Sequence, residues 1–407
     1  MFDVESIRKD FPILKQDVHG HPLVYLDNAA TMQVPTHVLK AVEKHYSSKN
    51  GNVHRGTHFT SNASTSALEA ARKHIANFIG AGSEDCIVFT RGTTESLNLV
   101  ANGMRSSISS NDHIVCTELE HHSNYVPWQQ LCMETGAEFN VCKITESGDL
   151  DLIALSRLLK NRPKIVALTC CSNVLGTVTP IKTIVSMAHD AGALVVLDGA
   201  QIMRHKNIDV KDIGCDFLAF SGHKIMAGTG IGVLFGRIEA LEQLQPLMYG
   251  GEMVETVSKE CTTFAELPLK LEAGTPNYVG SIALDAAISY LENLGINNVA
   301  RYEEQLIAYA ADRLEAIDGL RILGHPHERA GCISFVVRGV HPFDLCTLVD
   351  KLGIALRSGH NCAQPVLRAL DETSVSRLSP AFYNTFDEID RAADSIEKCI
   401  KLIRSTR

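Results

Sequence analysis

From residue 86 onward, short apolar runs alternate with stretches of helical pattern: CIVFT is followed by TTESLNLVANGM, then come HIVCTELE, PKIVALTCCS, IKTIVSMAHDAG and ALVVLDGA. Strands separated by helices of this size join through right-handed crossovers, so they pair in parallel and are buried on both faces; an α/β sheet is the consequence. CDFLAFSGHK and GIGVLFGR read as two more strands, joined by the Gly-rich KIMAGTG. In such sheets sites form at the C-terminal ends of the strands, so chemistry is sought there first. At 407 residues the chain exceeds the roughly 250–300 at which single cores divide. Around LEAGTPNYVGSIALDAAISYLENLG the texture changes to a long helix, and RILGH, CISFVVRG and HPFDLCTLVDKLGIAL beyond it read as a smaller α+β unit. The expected division is a leading segment over 1–24 that packs with the small domain, a large domain over 25–285 and the small domain over 286–407.

Composition limits the partners. A net charge of −9 and the lack of a long basic run exclude electrostatic capture of nucleic acid or anionic membrane. The opening MFDVESIRKDFPIL mixes acids and bases, and no run approaches the roughly 18 apolar residues of a membrane span. A soluble, unexported, cytoplasmic protein is expected. The twelve cysteines include no C-x-x-C pair, and Cys170, Cys171 and Cys332 stand in apolar, strand-like runs, as reduced core thiols do.

Lys224 follows the strand-like CDFLAF and the turn SGH, which sends its stem from the C-terminal edge of the sheet, where a partly desolvated amine forms a Schiff base with an aldehyde. Asp198 ends ALVVLD at the same edge, and a buried acid needs a cationic partner such as a protonated pyridine nitrogen, or else caps the next helix. Gln201 stands three residues on, within reach of such a ring's phenolic oxygen if the chain turns. TRGTTESLN runs from strand into helix, so backbone amides with Thr93 and Thr94 form a phosphate site, with Ser221 and His223 on its other side. In ELEHHSNYVPW, His121 and His122 face opposite ways, one over a cofactor ring and the other toward packing or solvent. Asn173 lies at the same edge, and no ligand set has zinc-like spacing, so no metal is expected. Each residue has an ordinary structural reading when taken alone. Together they describe one pocket, that of pyridoxal 5'-phosphate. Finally, RSGHNCAQP puts Cys362 on a polar, turn-rich run where a thiol is reachable.

These stretches, with YLDNAAT, NVHRGTHFTS, SNVLGT, TGIGVLFG, YGGEMV, EAGTPN and FYNTFDEID, run in order through nearly the whole chain. They resemble the pyridoxal-phosphate cysteine desulfurases of the class V aminotransferase family, specifically the second group, which includes the desulfurase of the SUF iron–sulfur assembly system and selenocysteine lyases. The resemblance implies fold type I of the pyridoxal-phosphate enzymes: a large domain with a mainly parallel seven-stranded sheet between helices, and a small domain carrying the loop cysteine. It implies that Lys224 binds the cofactor aldehyde, Asp198 pairs with the pyridine nitrogen, Gln201 contacts the phenolic oxygen and His121 stacks on the ring. Thr94, Ser221 and His223 match phosphate ligands, and Thr275 matches a threonine given by the partner subunit of a homodimer. Arg377 matches the arginine that holds the substrate carboxylate, with Asn173 nearby, and Arg357 matches another arginine of the active-site segment. Cys362 matches a cysteine on a mobile loop that takes sulfur from L-cysteine as a persulfide for an acceptor protein of iron–sulfur assembly, leaving L-alanine. The alternative is a selenocysteine lyase, which releases selenide.

The chain departs from the usual pattern in places. Met226, Ala227 and Gly228 stand where tyrosine-glycine-proline is usual, Asn361 where histidine is common, and Pro380 where another residue type is usual. Cys170 and Cys171 also differ and are expected to be buried strand residues without a role.

Overall fold

The computed structural model describes residues 2–405. Seven strands form the main sheet: β1 (Ile87–Thr90), β2 (His113–Thr117), β3 (Glu138–Cys142), β4 (Ile165–Thr169), β5 (Leu194–Asp198), β6 (Phe217–Ser221) and β7 (Gly232–Gly236). Their spatial order is β1-β7-β6-β5-β4-β2-β3. All neighbours are parallel except β7, which runs antiparallel to both β1 and β6. The loop between Ser221 and Gly232 is too short for a crossover, so β7 has to return antiparallel. The fold is therefore α/β with a mostly parallel sheet, as the alternation of runs implies. β3 was not legible as a strand, because EFNVC is an edge segment of mixed burial rather than an apolar run.

Successive residues of one strand feed opposite layers of the core. Val88, Phe217 and Leu234 pack in one layer with Leu97, Val100 and Trp128, while Ile87, Leu218 and Val233 join the other. Among the helices are α1 (Phe59–Phe78), α2 (Thr93–Gly103), α3 (Tyr278–Leu294), α4 (Ile296–Glu315) and α5 (Phe386–Ser405). Residue 285 lies inside α3, which packs on α1; α4, across Gly295, packs instead on α5.

A second sheet holds β8 (Leu320–Ile322), β9 (Ile333–Val337), β10 (Arg357–Gly359) and β11 (Val375–Leu378), antiparallel in the order β8-β9-β11-β10. The leading segment lies against this part of the chain. Arg8 pairs with Glu388 at 2.8 Å, and the Phe11 ring meets those of Phe382 and Tyr383. Val24–Tyr25 then pairs with Ile354–Ala355, and Asp27 bridges to Ser379. That pairing carries residues 27–31 across the ends of the main strands.

Candidate active site

A cavity of about 480 Å³ opens where β4, β5 and β6 end, and β10, β11 and residues 29–30 close its other side. Lys224 ends a 3-10 turn that follows β6 directly. Its amine donates to the Ala29 carbonyl, which also accepts from Gln201 Nε2 at 2.8 Å. Burial, together with the positive charges of Arg377 and Arg204, pulls the Lys224 ammonium down to about 7, against the opposing pull of Asp198 and Asp27. Asp198 is buried at the end of β5 and accepts one hydrogen bond, from Ala200 N at 2.9 Å. Burial pushes it up to about 6, although that amide and Lys224 favour its charged form. Among the described residues this carboxylate makes no ion pair, so its buried wall is short of donors.

At the start of α2, Thr93 N and Thr93 Oγ1 both lie 2.8 Å from Ser221 Oγ, and Thr94 Oγ1 lies 2.7 Å from Ser123 Oγ. The close approach behind this turn requires glycine: a Cβ on Gly232 would sit 2.3 Å from Gly92 Cα. His223 lines the same end of the cavity, where burial and Lys224 hold it down to about 4. Hydroxyls, a helix start and a ring nitrogen thus converge where an anion can be held.

His121 reaches the cavity from the turn after β2. Its Nδ1 accepts from Ser123 N at 3.1 Å, which leaves Nε2 as the protonated nitrogen of a neutral ring. Burial, Lys224, His122 and Arg377 hold it down to about 4. The preceding Glu120 is completely buried and accepts from Thr117 Oγ1 at 2.6 Å, Thr169 N at 2.9 Å and Asn124 Nδ2. It ties the turn that carries His121 to the ends of β2 and β4. Burial pushes Glu120 up to about 8, despite those hydrogen bonds.

The opposite wall carries the arginines. Arg377 is buried; it donates to the Asn173 carbonyl at 2.8 Å and to Asp27 Oδ1 at 3.1 Å. Arg357, its cross-strand neighbour, pairs with Asp27 Oδ2 at 2.9 Å. One carboxylate therefore holds both guanidiniums. Cys362 is exposed, but its loop is not a free tip as the sequence suggests: Cys362 O accepts from His122 N at 2.7 Å, and Asn361 O accepts from Asn173 Nδ2 at 2.7 Å. Asn361 and Cys362 both have left-handed backbone, φ +50° and +53°.

The cavity thus gathers Lys224, Asp198, Gln201, His121, Thr93, Thr94, Ser221, His223, Arg377, Asn173, Arg357 and Cys362. Thr275 is not among them; it is exposed, in a separate depression with Arg91 and Glu95. Cys170 and Cys171 are buried, but they lie just past the end of β4 rather than in it, and Cys171 walls the cavity. Sequence reasoning missed Asp27, Glu120 and Asn361. Asp27 precedes every strand of the main sheet, Glu120 reads as an ordinary polar residue beside the two histidines, and Asn361 draws notice only as a departure. Among the described residues no group of three or more His, Cys, Asp or Glu side chains is arranged to hold a metal ion, and no helix is long and apolar enough to cross a membrane.

The under-partnered Asp198 and the converging hydroxyls suit a group that has a basic ring nitrogen and a phosphate, and a lysine with a free-base amine suits its aldehyde. The residues present fit a cofactor of that kind. Over residues 24–392 the chain matches the family described as Aminotransferase class-V. It is 45% identical to a probable cysteine desulfurase of Halalkalibacterium halodurans over 97% of this chain and 98% of that one. It is 43% identical to a cysteine desulfurase of Klebsiella pneumoniae, over 99% of each. Two solved structures are similar: the cysteine desulfurase CsdA (S-sulfonic acid) of Escherichia coli, with TM-score 0.91, 38% identity and 99% of both chains covered, and the apo cysteine desulfurase of Thermococcus onnurineus, with TM-score 0.92, 38% identity and 98% of both. The chain belongs to the class V aminotransferase family, and its cofactor is pyridoxal phosphate.

Proposed function

We propose that this chain is a cysteine desulfurase of the second, SUF-type group. It takes sulfur from L-cysteine, releases L-alanine and keeps the sulfur as a persulfide on Cys362 for an acceptor protein of iron–sulfur cluster assembly. The observation that carries the reading is that Cys362, one of two exposed thiols, shares a cavity with the half-buried Lys224. The relatives named above support it, and nothing in the site favours the selenocysteine lyase.

When bound, the cofactor supplies an electron-withdrawing ring that weakens bonds at the substrate's Cα. The chain's residues hold and orient. Asp198 would keep the ring nitrogen protonated, Gln201 would meet the phenolic oxygen and neutral His121 would pack on the ring. Thr93, Thr94, Ser221 and His223 hold the phosphate. Lys224, with an amine lowered to about 7, tethers the cofactor and moves a proton at Cα near neutral pH. Arg377 takes the substrate carboxylate, with Asn173 and Arg357 beside it. Overall, one S–S bond forms on Cys362 as the substrate's C–S bond breaks, and the thiol proton ends on alanine, so no outside oxidant is needed.

Thr275, exposed and outside its own cavity, is the residue we assign to the partner's phosphate site in a homodimer. The division we propose is 1–24, 25–285 and 286–407, and the change of packing after α3 argues for moving the second divide from 285 to Gly295. The compartment is cytoplasmic, in keeping with twelve free cysteines. The test is Cys362→Ala. It should keep the visible absorbance of the bound cofactor while losing alanine release from L-cysteine and protein-bound persulfide. Full cysteine turnover by this variant would refute the persulfide route.

A further inference from the structure

Three polar atoms in the cavity wall are buried and find no hydrogen-bond partner among the described residues: Arg377 Nε, Asn173 Oδ1 and Asn361 Oδ1. One is a donor and two are acceptors. The amide orientation of Asn173 is fixed by its Nδ2, which donates to Asn361 O at 2.7 Å, so its oxygen is the free atom. Asn361 Nδ2 leans on Gly359 O at 3.4 Å, which leaves its oxygen free as well. Buried polar atoms left open cost stability unless something completes them, so the set describes a ligand with one acceptor group and two donor groups.

L-cysteine meets one donor and one acceptor of that set: its carboxylate accepts and its thiol donates, while its amino group is taken by the cofactor aldehyde. The carboxylate belongs with Arg377. Asn361 immediately precedes Cys362, and the sulfur to be transferred has to lie beside the Cys362 thiol, so the acceptor nearest the sulfur is Asn361. We propose that Asn361 determines specificity: its amide oxygen accepts the S–H of the substrate and so favours a protonated thiol over an ionised selenol. This rests on the desulfurase reading above.

The discrimination follows from acidity. A selenol is a much stronger acid than a thiol and is anionic at neutral pH, so it has no proton to give Asn361 and instead brings a negative charge toward a carbonyl oxygen. A thiol is a weak donor, and the oxygen that receives it is uncharged. At this position the side chain can be removed without bending the loop. Asn361 sits at φ +50°, where glycine is at ease, and its own carbonyl, held by Asn173, remains after the change.

The experiment compares wild type and Asn361→Gly, both loaded with cofactor, by alanine release from L-cysteine and from L-selenocysteine at neutral pH. The ratio of kcat/KM for cysteine to that for selenocysteine should fall by roughly two- to tenfold in the variant, the worth of one neutral hydrogen bond. Selenocysteine turnover also reports that the variant is folded and loaded. An unchanged ratio, whether both activities hold or both fall together, overturns the assignment and leaves Asn361 a loop residue only. Wild type that releases no alanine from cysteine overturns the desulfurase reading itself, an outcome distinct from an active wild type whose ratio does not move.

Discussion

Removing the cofactor and raising the pH from about 6 to about 9 should switch the Lys224 amine from ammonium to free base near pH 7, because burial and the charges of Arg377 and Arg204 lower it from 10.5 to about 7. That shift corresponds to about 5 kcal/mol against the charged form. At pH 7 about half the amine is free base, on the order of a thousandfold more than for an ordinary exposed lysine. The assay is stopped-flow uptake of pyridoxal phosphate by the cofactor-free protein, read as visible absorbance, with Lys224→Ala as the zero. The cofactor's own ionisations are common to every protein compared and cancel. Arg204→Met removes a positive neighbour and should move the midpoint up; Asp198→Asn removes a negative one and should move it down. Linkage gives a second readout. The unfolded chain binds this proton up to 10.5 and the fold only up to about 7, so the cofactor-free fold gains stability as pH rises across that window. A midpoint above about 9, or Asp198→Asn moving it upward, would refute the account of the site's electrostatics.

Other consequences can be checked separately. Arg377→Lys keeps the charge but loses the planar fork that bonds both Asn173 and Asp27, so kcat/KM for L-cysteine should fall by about 10- to 100-fold with the cofactor absorbance unchanged, as steady-state alanine release would show. Burial raises Glu120 from 4.5 to about 8, so the wild-type fold has this residue's full contribution below 4.5 and loses it as pH rises toward 8. Glu120→Gln should therefore melt progressively higher relative to wild type from pH 5 to pH 9; a difference independent of pH would count against it. Arg72 and Glu272 form a buried pair at 2.6 and 2.9 Å, so Arg72→Met should cost about 3–5 kcal/mol in urea unfolding, and adding Glu272→Leu should recover part of that loss.

Much of the site was legible because of how a doubly covered sheet is built. Its central strands are apolar almost to their ends, so a residue such as Asp198 or Ser221 at the end of one stands out against the run that precedes it. An adjacent turn like SGHK can only deliver its lysine to the same edge. That logic needs no knowledge of distant parts of the chain. It fails where a position is set from elsewhere. Asp27 meets its arginines across sequence separations of 330 and 350 residues, and nothing in YLDNAAT shows that its carboxylate will be shared. Glu120 works downward into the protein, toward Thr169 and Asn124, so it looks like one more polar residue of a loop. The Cys362 segment shows the limit most clearly. Its composition announces a turn with a reachable thiol, and composition alone suggests mobility. Two consecutive left-handed residues, with bonds from His122 N and Asn173 Nδ2 to its carbonyls, seat it in the wall of the cavity instead. Residue type revealed which atom could react. Only the long-range contacts show that the Cys362 backbone is tied to the cavity wall and that the residue before it lines the same cavity.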